Sequence, residues 1–80
     1  MTTEADMELL DCRGQRCPLP VIALARRVAE VVPGTTIRVL ADDPAAAVDI
    51  PAWCRLRGQE YVGPTDDPAD GPGYDVRRVR

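Results

Sequence analysis

Eighty residues make one small domain that can bury only about 60 to 65% of its unfolded surface, so a single core of two layers is the most to expect. Ten arginines and no lysine stand against thirteen acids, for a net charge of -3 and no basic block to meet a nucleic acid. The acidic start MTTEADME lacks the charge of a signal peptide and no apolar run approaches the ~20 residues of a membrane span, so a cytoplasmic chain with no membrane partner is expected.

The first seven residues are expected to be a flexible start to a single domain over residues 1–80. Glu8 to Cys12 offers a short strand that ends at the Arg13-Gly14-Gln15 turn. From Val21, the apolar positions Leu24, Ala25, Val28, Val31 and Val32 follow helical spacing, and the helix stops at Pro33-Gly34. Thr35 to Ala41 is β-branched and apolar and reads as a second strand. Strand, helix, strand implies parallel pairing with a right-handed crossover.

Asp42-Asp43-Pro44 opens a second helical segment that runs through Leu56 to Gly58. Pro51 lies inside it, which predicts a kink or two short helices, with Asp49 capping the second half around Trp53 and Leu56. Gln59 to Gly63 and Tyr74 to Val79 read as two antiparallel strands with Tyr61 and Tyr74 as neighbours. The acidic, Pro/Gly-rich stretch Pro64 to Gly73 between them reads as a mobile surface loop.

Cys17-Pro18-Leu19-Pro20 sits where the turn gives way to the first helix. Proline suits the first helical position, which marks Cys17 as the N-cap. Pro20 has no N–H to give, so Leu19 N–H is the expected donor to the sulfur. The positive helix start, with Arg16 and Arg13 just upstream, is expected to favour the thiolate and lower the pKa of Cys17. A small buried hydrophobe is the plainer reading of a cysteine, but it leaves the prolines unexplained.

The chain has no histidine, which removes the usual base beside a nucleophilic cysteine and argues against a Cys-His hydrolase. Thiolate chemistry without a base remains, and sulfur transfer between thiols fits it. Cys12, five residues before Cys17, could act as a resolving thiol, although its spacing lacks the tight Cys-x-x-Cys geometry and favours a packing role. Cys54, beside Trp53, reads as core. An odd set of three cysteines suits free thiols, and with no histidine it supplies a structural zinc site poorly, so neither a metal nor a cofactor is expected. Arg26 and Arg27 read most simply as a solvated helix face, and Asp42 and Asp43 as a helix cap, with docking to a partner protein as the alternative for each pair.

The ordered series Leu10-Asp11, Gly14, Cys17-Pro18-Leu19-Pro20-Val21, Pro33-Gly34, Asp42-Asp43-Pro44-Ala45, Asp49-Ile50-Pro51, Trp53-Cys54 and Gly58 resembles the TusA/SirA-like sulfur-carrier family. The resemblance spans roughly Leu9 to Val62 and implies a two-layer α/β sandwich, β-α-β-α-β-β, with a four-stranded mixed sheet and both helices on one face. It makes Cys17 the counterpart of the cysteine that bears the persulfide. Asp43 and the first helix become counterparts of surfaces that meet protein partners: a sulfur donor, either a cysteine desulfurase or a rhodanese-like protein, and a sulfur acceptor. The pathways it implies are tRNA thiolation, cofactor synthesis and sulfur metabolism. Gln59 departs from the histidine of many relatives, and the Pro64 to Gly73 stretch is longer and more acidic. A regulatory or protein-interaction module of the same fold is the alternative, and a redox protein using Cys12 and Cys17 a third.

Overall fold

The computed structural model describes residues 7–80, so the expected flexible start lies outside the described residues except for Met7, which begins the first strand. The elements follow the order β1 (Met7–Asp11), α1 (Leu19–Glu30), β2 (Thr36–Leu40), α2 (Ala46–Arg57), β3 (Glu60–Asp67) and β4 (Gly71–Arg77). The four strands form one mixed sheet in the order β1-β2-β4-β3. β1 and β2 are parallel, and β4 is antiparallel to both of its neighbours.

Alternation along the central strands divides the sheet into two faces. Ile37 and Val39 of β2 and Tyr74 and Val76 of β4 join the core with Leu24 and Val28 of α1 and Ile50 and Cys54 of α2. Each large side chain buried there contributes about 1.5 to 3 kcal/mol. The other face carries Leu9 and the paired side chains of Arg38 and Asp75, whose two hydrogen bonds measure 2.9 and 3.1 Å. No described helix is long and apolar enough to cross a membrane.

Three expectations are corrected. Of the kink or two short helices expected at Pro51, the break into two does not occur: α2 is one uninterrupted helix. Proline there removes a single backbone bond, and the burial of Ile50 and Cys54 on either side of it holds the turn against the sheet. Asp49 caps no second segment; its carboxylate goes to Cys17 instead.

The stretch Pro64 to Gly73 is mostly sheet rather than a mobile loop. β3 runs on to Asp67, and only Pro68, Ala69 and Asp70 separate it from β4. Asp67 closes this turn by accepting bonds from the backbone N–H groups of Ala69 and Asp70 at 2.7 and 3.1 Å, and Gly71 supplies the left-handed φ of 79° that ends a three-residue hairpin. The prolines are compatible with it because Pro64 lies on the edge strand and Pro72 beyond the last β2–β4 pair, Leu40 with Gly73. Tyr61 and Tyr74 are diagonal neighbours across the hairpin, since Tyr61 pairs with Val76 and Tyr74 with Pro64.

Gln59 has a structural task. Its amide oxygen accepts the N–H of Val79 at 2.8 Å while its nitrogen donates to the Arg80 carbonyl at 3.1 Å, tying the segment after β4 to the end of α2. Gly58, at φ 74°, gives the left-handed cap that stops α2, and a Cβ added there would crowd the Arg80 side chain.

Candidate functional site

Sites in open α/β sheets collect beyond the carboxyl ends of parallel strands, and here the loops that follow β1 and β2 meet at that end. Cys12 N–H bonds to Leu40 O at 2.8 Å, extending the ladder by one residue before the chain turns. Two consecutive acids of the second loop then take hold of the first. Asp42 accepts the Gly14 N–H at 3.1 Å, and Asp43 accepts the Cys17 N–H at 2.8 Å while its other oxygen accepts the Ala45 N–H at 3.0 Å. Asp43 is therefore both the turn-former at the start of α2 and the anchor of the Cys17 backbone.

Cys17 is exposed, and its Sγ–H donates to Asp49 Oδ2 on α2 at 2.7 Å. The two sit at an open groove of about 360 Å³ walled by Pro18, Val21, Ala52, Trp53 and Leu56. A larger cleft of about 500 Å³, lined by Gly14, Gln15, Arg16, Asp42, Asp43 and Pro44, lies against the same loop but lacks a nucleophile. The smaller groove is the candidate site because the thiol stands in it.

The expected support for a thiolate is reversed. The hydrogen bond to Asp49 raises the Cys17 pKa above its ordinary value, with lesser contributions from partial desolvation and the charges of Asp49 and Asp43. α1 begins at Leu19 after a cis Cys17–Pro18 peptide, so Pro18 takes the cap position expected of Cys17 and Pro20 is buried in the first turn. Leu19 N–H bonds to the Arg16 carbonyl at 2.8 Å rather than to the sulfur. Arg13 is held by Asp11 through bonds of 2.9 and 2.8 Å, which bring the Asp11 carboxyl down to about 2. Arg16 lies near Asp43 and favours that carboxylate. Arg13 is therefore engaged away from the Cys17 sulfur.

Cys12 is 1% exposed and packs in the core, where burial pushes its thiol up. Cys54 is buried likewise and pushed up to about 11. Cys17 is the exposed thiol of the three. Of the residues considered for docking, Arg26 is exposed, whereas Arg27 is engaged with Glu8 and with Glu30, the latter at 2.9 Å. Among the described residues no group of three or more His, Cys, Asp or Glu is placed to hold a metal ion.

Asp49 is the site residue that reading by element does not find. A trace of it exists: Asp49, Ala52, Trp53 and Leu56 share one helical stripe at i, i+3, i+4 and i+7, an apolar row that carries a single acid. The stripe does not say which distant group the acid meets.

Comparison with known proteins bears on the fold and the family. The fold is similar to that of the crystal structure of the SirA-like protein from Desulfitobacterium hafniense, with a TM-score of 0.77 and 20% identity, covering 92% of this chain and 100% of that one. That likeness establishes the fold. The family model described as Sulfurtransferase TusA matches residues 8–76, which takes in both loops, Cys17 and Asp49. Proteins of that family carry sulfur in relays between protein partners. The chain belongs to the TusA family of sulfurtransferases.

Proposed function

We propose that Cys17 accepts a sulfur atom from the persulfide of a donor protein, a cysteine desulfurase or a rhodanese-like protein, and passes it to an acceptor protein. Such a relay would serve tRNA thiolation, cofactor synthesis or sulfur metabolism. The observation that carries this reading is an exposed thiol in an open apolar groove, fixed through its backbone by Asp43.

The exchange balances without an oxidant. Cys17 Sγ, as thiolate, attacks the outer sulfur of the donor persulfide; the donor S–S bond breaks and its inner sulfur leaves with the electron pair and takes a proton. Cys17 then bears the persulfide. In the second half an acceptor thiolate attacks the outer sulfur, and Sγ is the leaving group.

A carrier has to meet both partners with the same surface. Leu56, 79% exposed, lines the groove with Asp49, and Leu19 and Ile22 are exposed on α1. Exposed apolar side chains around a nucleophile suit a docking face, with Arg26 and Asp43 as the charges within it. Three unpaired thiols suit a reducing, cytoplasmic setting.

The test is incubation with a cysteine desulfurase and cysteine, followed by intact mass measurement. Wild type gains the mass of one sulfur atom and Cys17→Ser gains none. Equal uptake by the two proteins overturns the assignment.

A further inference from the structure

A sulfur carrier must hold its load between partners, and this site offers no steric cover for it. Cys17 is exposed and the groove beside it is open, so small thiols can reach the sulfur. Retention then has to come from chemistry. In thiol exchange the rate depends on the leaving sulfur: the more acidic its thiol, the faster it departs.

Unloading makes Cys17 Sγ the leaving group and places a full negative charge on it. Beside that charge stands Asp49 Oδ2, which accepts the Sγ–H bond at 2.7 Å in the empty carrier. The other charged groups facing the sulfur come from the loops: Asp43, which holds the Cys17 backbone, and Arg16, which lies near Asp43. Among the described residues no cation forms an ion pair with Asp49. Two carboxylates thus face the departing sulfur, and the nearer one has no cation bound to it.

We propose that Asp49 is a retention residue: its carboxylate beside Sγ makes Cys17 a poor leaving group, so the carried sulfur resists discharge to free small thiols. The inference rests on the carrier reading above and adds a role to a residue of the same site. In the loaded state the negative charge sits on the outer sulfur, one S–S bond of about 2.05 Å further from Cβ. The carboxylate therefore opposes the unloaded thiolate more than the loaded persulfide. When an acceptor thiolate takes the outer sulfur, the Sγ–S bond breaks, the electron pair stays on Sγ, and a proton taken from solvent restores the Sγ–H to Asp49 bond. An acceptor that brings a cation to Asp49 as it docks would discharge the carrier where a small thiol does not.

The experiment compares wild type, Asp49→Asn and Asp49→Glu after loading by a desulfurase and removal of the donor. Glutathione is added, and loss of one sulfur mass from Cys17 is followed in time. Asp49→Asn is expected to discharge several-fold faster, since a more acidic leaving thiol departs faster in such exchanges. Asp49→Glu is expected to stay near wild type. The Cys17 titration midpoint, read by thiolate absorbance, is expected to fall in Asp49→Asn. A folded Asp49→Asn that discharges at the wild-type rate or slower overturns the proposal, as does faster discharge with an unmoved midpoint. The same order is expected for release of Cys17 from a mixed disulfide with glutathione by dithiothreitol, which needs no sulfur loading. That arm decides the role of Asp49 even if wild type takes up no sulfur, a result that would overturn the carrier reading alone.

Discussion

Cys17 and Asp49 stand 32 positions apart in the chain and meet, sulfur to carboxylate, at 2.7 Å. The contact joins the loop before α1 to the first turns of α2, and with the bond from Cys17 N–H to Asp43 it fixes the thiol at two points. An arginine-flanked helix start has become a site governed by two acids.

The first consequence concerns reactivity. Exposure makes Cys17 the first of the three cysteines to be alkylated by iodoacetamide in the native protein, while the hydrogen bond to Asp49 favours its protonated form. Alkylation rates measured against pH should therefore show a midpoint above the ordinary value of about 8.5. A midpoint at or below that value contradicts the geometry described.

Acid stability follows from the depressed carboxyls. Arg13 holds Asp11 at about 2, the N–H groups of Cys17 and Ala45 lower Asp43, and those of Ala69 and Asp70 lower Asp67. Folding favours the ionised form of each, so their contribution is present above the unfolded value of about 3.9 and is lost as pH falls toward 2. Urea midpoints should decline over this window, and less steeply in Asp43→Asn. A flat profile is the contrary result.

Core and rim should respond differently to truncation. Leu24 is fully buried against the sheet, so Leu24→Ala should cost about 2 to 5 kcal/mol in chemical unfolding. Leu56→Ala, at an exposed position, should change stability by no more than about 0.5 kcal/mol. Its effect should fall on loading from a protein donor and spare loading from a small-molecule persulfide. Equal slowing with both donors would remove Leu56 from the docking face.

The pair of Arg38 and Asp75 lies across neighbouring strands on the face without helices. Asp75 is largely buried and the contact is two-pronged, so a double-mutant cycle to alanine should give a coupling of about 1 kcal/mol, above the usual exposed pair. Coupling indistinguishable from zero would make the pair ornamental.

Much of this fold was legible because periodicity and local chemistry agreed. The stripe of Leu24 and Val28, the β-branched run around Ile37 and Val39, and the glycine stop at Gly58 each appear where spacing and propensity put them. The hairpin was hidden by its prolines, which suggest a loop until the edge position of β3 is known. The Asp67 to Gly71 turn was its readable sign. Cys17 was legible as the nucleophile, but its surroundings were not. Sequence neighbours gave arginines, whereas folding sends Arg13 to Asp11 and brings Asp49 in from another helix. Local charge predicts a thiolate only when no distant group intervenes.

The central claim is that one particular sulfur carries another. After incubation with a cysteine desulfurase and cysteine, persulfides are trapped by alkylation and each cysteine-bearing peptide is weighed. The account predicts the extra sulfur on the Cys17 peptide alone, with those of Cys12 and Cys54 unchanged. Sulfur found on Cys12 or Cys54, or on none of the three, contradicts it.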